Sequence, residues 1–252
     1  MVDFEMAKDK VLLGSERRSM AMTEREKRTT AWHEAGHTLV AWLLPASDPV
    51  YKVTIIPRGP ALGITQTLPE NDPKDRSREW CYDTIAMALG GRIAEEVKFG
   101  QLTTGASSDF QRASDIARQM VTAWGMSRKL GTLAYGEKDD SPFMMGPSMR
   151  SRNYSERTQQ EIDAEIRSIV QQQYDRARAL LEEHSDQLDA IAEALLERET
   201  LDREDLEALL SGRELPPQKQ IRIPRYSEKR AQKEKRKTSI FQPRPREVPS
   251  GG

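Results

Sequence analysis

A single cysteine, Cys81, stands among 252 residues. That scarcity excludes an internal disulfide framework and a cysteine-rich structural zinc site, and it suits a reducing compartment. Cys81 is read as a half-buried thiol on a helix, because no reactive signature surrounds it. Histidine is nearly as scarce, with three in the whole chain. Long apolar runs are missing too. The strongest, Thr38 to Ala46, falls far short of the roughly 20 residues that cross a bilayer. Met1 leads into Val-Asp-Phe-Glu rather than a basic segment and an apolar run, so no signal peptide is read. With 37% hydrophobic and 31% charged residues, the chain is expected to be soluble, helix-rich and able to bury a real core.

The net charge of −1 conceals an asymmetry. Residues 213–252 hold 12 Lys/Arg against 4 Asp/Glu, a net of +8, which leaves −9 for residues 1–212. The same stretch contains six of the 14 prolines and little apolar periodicity. Such a segment buries too little surface to offset its ordering entropy and is expected to be disordered. A solvated extension is the plain reading of this tail; attachment to anionic lipid or nucleic acid is the sharper one.

Residues 1–22 show a short apolar pattern (Phe4, Met6, Val11, Leu12, Leu13) before Gly14, read as a brief helix and a connector. Thr23-Glu-Arg-Glu26 then spells a capping box. The helix it opens runs to about Leu44, because Pro45 ends the pattern, with Ala31, Ala35, Leu39, Trp42 and Leu43 on its apolar side. Val50 to Ile56 and Leu62 to Leu68 are extended, β-prone runs separated by Pro57-Arg-Gly-Pro60, which predicts a hairpin or two strands of a small sheet. Helical spacing recurs near 75–99, 108–124, 154–183, 186–197 and 202–211, with Gly125 and Gly212 at C-cap positions. A stretch near 136–153, rich in Gly, Pro, Ser and Met, is read as flexible. The class is mainly α, a helical domain with one small β-hairpin or sheet.

Two of the three histidines fall in His33-Glu34-Ala35-Gly36-His37, an HExxH motif inside the first of these helices. Four residues advance a helix by about 400°, so both imidazoles leave one face about a turn apart and can share one zinc ion. Glu34 sits about 100° round from His33, beside the metal. There it can take a proton from zinc-bound water and return one to a leaving amine. The competing reading, two ordinary histidines and a solvated glutamate, leaves the pairing of scarce histidines without a reason.

A zinc site needs a third protein ligand. His184 ends a long helix, where the helix dipole alone favours it. No HExxHxxGxxH extension follows His37, so a carboxylate from a distant segment is expected. Glu95 and Glu96 lie on a later helix; Asp109 lies in Thr103-Thr-Gly-Ala-Ser-Ser-Asp109, at the start of the next one. A stiff cap there would suit a precise ligand, which favours Asp109 modestly.

Taken together, Gly14-Ser-Glu-Arg-Arg-Ser-Met20, the HEAGH helix, Val53-Thr-Ile-Ile-Pro-Arg-Gly59, Leu89-Gly-Gly-Arg92, Thr103 to Asp109 and Met120-Val-Thr-Ala-Trp-Gly-Met-Ser127 resemble the FtsH family, over roughly residues 10–212. These are membrane-anchored, ATP-dependent zinc metalloproteases. The resemblance implies a helical metallopeptidase domain binding one Zn2+ through His33, His37 and Asp109, with Glu34 catalytic and Glu95 or Glu96 supporting. It implies that Gly63, Ile64, Thr65, Gln66 and Thr67 form a cleft-side strand on which an unfolded substrate adds as a further strand. It also implies hexameric rings and, for the full-length family, a place at the cytoplasmic face of the bacterial inner membrane or its organelle equivalent. The chain departs from the pattern in having no GxxxxGK[ST] loop, hence no ATP site, and no membrane span. Residues 1–22 then read as the end of an ATPase module and its linker, 23–212 as the zinc peptidase domain, and 213–252 as the tail. A catalytically silent scaffold of the same fold is the other functional class; intact His33, Glu34 and His37 count against it.

Overall fold

The computed structural model describes residues 8, 10–11, 14–17, 22–59, 61–69, 74–101, 103–135 and 154–217. The chain divides into two units, at Pro216 and Pro217. Most of the opening helix and connector, the flexible stretch and nearly all of the basic tail read from the sequence lie outside the described residues.

Helix α1, Glu24–Leu43, begins at the capping box. The Glu26 amide donates to Thr23 Oγ1 at 3.2 Å, and the Thr23 amide donates to Glu26 Oε2 at 2.8 Å. Two orphan amides are thereby satisfied. Leu44 closes the helix in an extended conformation, as the residue before a proline must. The sequence suggests one apolar side, but every residue from 30 to 41 except His33 is buried. α1 is therefore a central helix, wrapped by neighbours on all sides.

Helix α2, Arg78–Phe99, starts at Ser77, whose hydroxyl accepts from the Trp80 amide at 3.0 Å, and stops at Gly100 in the left-handed region. It crosses α1 backbone to backbone. A Cβ placed on Gly36 would stand 2.4 Å from the Gly90 carbonyl oxygen, so this crossing has no room for any side chain. The HEAGH glycine is thus a packing requirement of the helix pair.

Helix α3, Ser107–Thr122, follows, then α4, Glu156–Glu183, and α5, Ser185–Arg198. α4 packs on α2 and α3, while α5 packs on α1. Asp189 of α5 ties these layers together, accepting from Trp32 Nε1 at 2.7 Å and Lys98 Nζ at 2.6 Å. Leu188, Ile191 and Leu195 are all buried beneath it. Each such side chain contributes roughly 1.5–3 kcal/mol of burial.

The sheet has three strands in the order β2-β1-β3, all antiparallel. β1, Val50–Thr54, pairs with β2, Ile64–Thr67, as the sequence suggests. The third strand, β3, Thr200–Asp202, does not announce itself in the sequence. Three residues between α5 and the short α6, Arg203–Leu210, are too few to show a period. Its anchor is buried Leu201 opposite Val53, with the Thr54 and Thr200 hydroxyls bonded at 2.8 Å. β2 is left as an edge strand.

Candidate metal centre

α1 delivers His33 and His37 one turn apart, and their Nε2 atoms lie 3.1 Å from each other. Asp109 Oδ2 stands 3.3 Å from His33 Nε2 and 3.6 Å from His37 Nε2. Ligand atoms on a tetrahedral zinc, bonded at about 2.0–2.1 Å, are separated by about 3.3–3.4 Å. The three donors therefore fit that ion. Asp109 is the third residue of α3, where the helix dipole favours a carboxylate. The stiff side-chain cap expected there is absent, since Ala106 occupies the N-cap. The two imidazoles hold the carboxylate instead.

Each imidazole is oriented by a second bond. His37 Nδ1 donates to the Met87 carbonyl at 2.7 Å, and His33 Nδ1 donates to Glu95 Oε1 at 2.6 Å. Glu95 Oε2 in turn accepts from the Thr103 hydroxyl at 2.8 Å. With Nδ1 engaged, the Nε2 atoms face the centre, the usual arrangement behind a metal-binding histidine. Gly91 of α2 keeps this space open: a Cβ there would lie 2.5 Å from His37 Nε2 and 2.7 Å from His33 Nε2.

The remaining sequence candidates separate cleanly. Glu95 supports His33, whereas Glu96 turns towards α4 and pairs with Arg178 at 2.8 Å and with the Tyr174 hydroxyl. His184 sits between α4 and α5 as a cap residue. Among the described residues, the cluster able to hold a metal comprises His33, His37 and Asp109.

Burial works against charge on His33, but its bonds to Asp109 and Glu95 outweigh that and raise its pKa to about 10. Burial likewise pushes Asp109 up, yet the bonds from His33 and His37 prevail and hold it below the usual carboxylate range. Below about pH 10 a proton is favoured on the cluster wherever no cation occupies it, and metal uptake must expel it. Zinc affinity is accordingly expected to rise with pH, by up to about tenfold per unit, until His33 loses its proton near pH 10. Calorimetric zinc titrations at pH 6, 7 and 8 check this; a flat profile would contradict it.

Glu34, also buried, points beside the metal cluster instead of into it. One of its oxygens accepts from the Thr65 hydroxyl at 2.7 Å. A cavity of about 860 Å³ opens over the site, lined among others by His33, Glu34, His37, Asp109 and Arg112. Gly63, Ile64 and Thr65 of the anticipated docking strand line this cavity; Gln66 and Thr67 do not. The sequence marks Thr65 as part of the docking strand and Thr103 as the start of the run to Asp109, but not the bonds their hydroxyls make to Glu34 and Glu95, and a backbone carbonyl such as that of Met87 leaves no sequence signal.

Residues 20–209 match peptidase family M41. ATP-dependent zinc metalloprotease FtsH 4 of Sorangium cellulosum is 51% identical over 253 residues, spanning 99% of this chain and 39% of that protein. FtsH of Myxococcus xanthus is 51% identical over 239 residues, 93% of this chain and 37% of its own length. FtsH 1 of Bdellovibrio bacteriovorus is 50% identical over 213 residues, 84% and 33% respectively. The chain thus spans between about a third and two fifths of the length of these relatives. It belongs to peptidase family M41.

Proposed function

We propose that this chain is a zinc-dependent endopeptidase acting on unfolded polypeptides, the proteolytic module of an FtsH-like ATP-dependent protease. The observation that carries the reading is the set His33, His37 and Asp109, spaced for zinc, with the carboxylate of Glu34 held beside it on the same helix. His33, His37 and Asp109 hold the metal, while Glu95 and the Met87 carbonyl fix the imidazoles. Bound zinc supplies Lewis acidity, polarising the scissile carbonyl and acidifying water. Glu34 removes the proton from the attacking water and passes it to the departing amine. β2, an edge strand among the described residues, suits an incoming extended chain, which pairs through its backbone with little regard for sequence.

Residues 1–22 are assigned to the end of a preceding ATPase module and its linker, residues 23–212 to the peptidase and residues 213–252 to a basic tail. Assembly with further copies, as a hexamer, belongs to the same reading and rests on the family resemblance. Among the described residues no helix is long and apolar enough to cross a membrane. A place at the cytoplasmic face of a membrane would therefore depend on segments outside them.

The zinc-loaded chain alone is expected to digest casein, to stop when a chelator is added, and to resume when zinc is restored. A tightly folded substrate should survive it. Intact casein after incubation with the zinc-loaded chain would overturn the reading.

A further inference from the structure

The two imidazoles are each fixed by a second bond, but the helix alone does not fix Glu34. A glutamate has three rotatable bonds, and its carboxylate must stay within reach of the attacking water through the reaction. The contacts that restrain it come from β2, about thirty residues further along the chain. Gly63 leaves space for the side chain to lie against the strand: a Cβ there would meet Glu34 Cγ and Oε1, each at 2.7 Å. Two residues on, the Thr65 hydroxyl lies 2.7 Å from Glu34 Oε2, 3.1 Å from the Glu34 carbonyl oxygen and 3.3 Å from the Thr38 hydroxyl. A hydroxyl has one proton, and the nearer, charged acceptor takes it. Fully buried Thr38 can donate to Thr65 Oγ1 and so turn that proton towards Glu34. One carboxylate oxygen, Oε2, is then anchored, and Oε1 remains to receive the proton of the water.

We propose that Thr65 is the positioning residue of the general base, so that the strand expected to dock substrate also sets the carboxylate that acts on it. The proposal rests on the endopeptidase reading above. An extended chain pairing along β2 stiffens that strand and with it Thr65, so occupancy of the cleft is transmitted to Glu34 through one hydroxyl. Binding energy from substrate residues remote from the scissile bond is thereby expressed in kcat as well as KM.

Thr65→Val keeps the side-chain shape and removes the donor; Thr65→Ser keeps the donor and removes the methyl. On a fluorogenic peptide, the zinc-loaded valine variant is expected to lose about tenfold to hundredfold in kcat, as befits the loss of a bond to a charged group. Its KM and zinc content should stay within about twofold of the parent, and the serine variant should recover most of the loss. In the metal-free chain, three-bond couplings at Glu34 should report one rotamer in the parent and averaging in the valine variant. The proposal is overturned if the valine variant retains its kcat, if serine falls as far as valine, or if Glu34 averages equally in both chains. An inactive parent with full zinc would instead count against the endopeptidase reading, and the couplings would still test the role of Thr65.

Discussion

Glu34→Gln is expected to lower casein hydrolysis by about a thousandfold and to leave zinc content unchanged. Glutamine is close to an isostere here. Its amide oxygen can accept the Thr65 hydroxyl as the carboxylate oxygen does, so the side chain should stay where it is. What it lacks is an oxygen basic enough to take a proton from water. The substitution therefore separates the presence of the site from its chemistry. Assays beside the parent, at matched zinc occupancy, decide the matter; a loss smaller than tenfold would remove Glu34 from the mechanism.

Asp109→Ala is expected to show the complementary defect, loss of the metal itself. Structural zinc sites bind with roughly 10–16 kcal/mol shared among four ligands, so each ligand supplies about 3 kcal/mol, or more than about a hundredfold in affinity. A catalytic zinc site leaves its fourth position to solvent, which would not compensate for a missing carboxylate. Glu95→Gln should behave differently, weakening zinc by about tenfold to hundredfold because it loosens His33 without removing a ligand. Glu96→Gln, whose partners are Arg178 and Tyr174, should leave zinc content alone. Metal analysis of the three variants after dialysis against a graded chelator tests the series. Equal zinc in Asp109→Ala and the parent would show that the third ligand is elsewhere.

Much of this centre is legible in the sequence because a helix converts spacing directly into direction. Thr23 and Glu26 mark the start of α1, and the four-residue step from His33 to His37 fixes their common face. The carboxylate is another matter. Nothing local in Glu95, Glu96 or Asp109 says which of them turns towards two histidines about sixty residues or more away. The choice follows from how α2 packs on α1 and α3 on α2, and the residues that set the first of these contacts are small: Gly36 and Gly90 at the crossing, Gly91 at the metal cluster. The family resemblance favours Asp109, and the geometry brings it to the imidazoles. β3 is hidden for a related reason. A three-residue strand carries no periodicity, and only its pairing with β1 reveals it.

That last strand has a consequence for the order in which the protein is made. β1 and β2 emerge early in synthesis, but the strand that completes their sheet lies 146 residues beyond, where Thr200 meets Thr54. Trp32, next to the first histidine, likewise waits for Asp189. A chain still on the ribosome can hold both histidines, Glu34 and Asp109 while lacking the third strand of the sheet that carries Thr65 and the Asp189 anchor of Trp32, so the sheet and the packing around α1 are completed only when almost the whole domain has been synthesised.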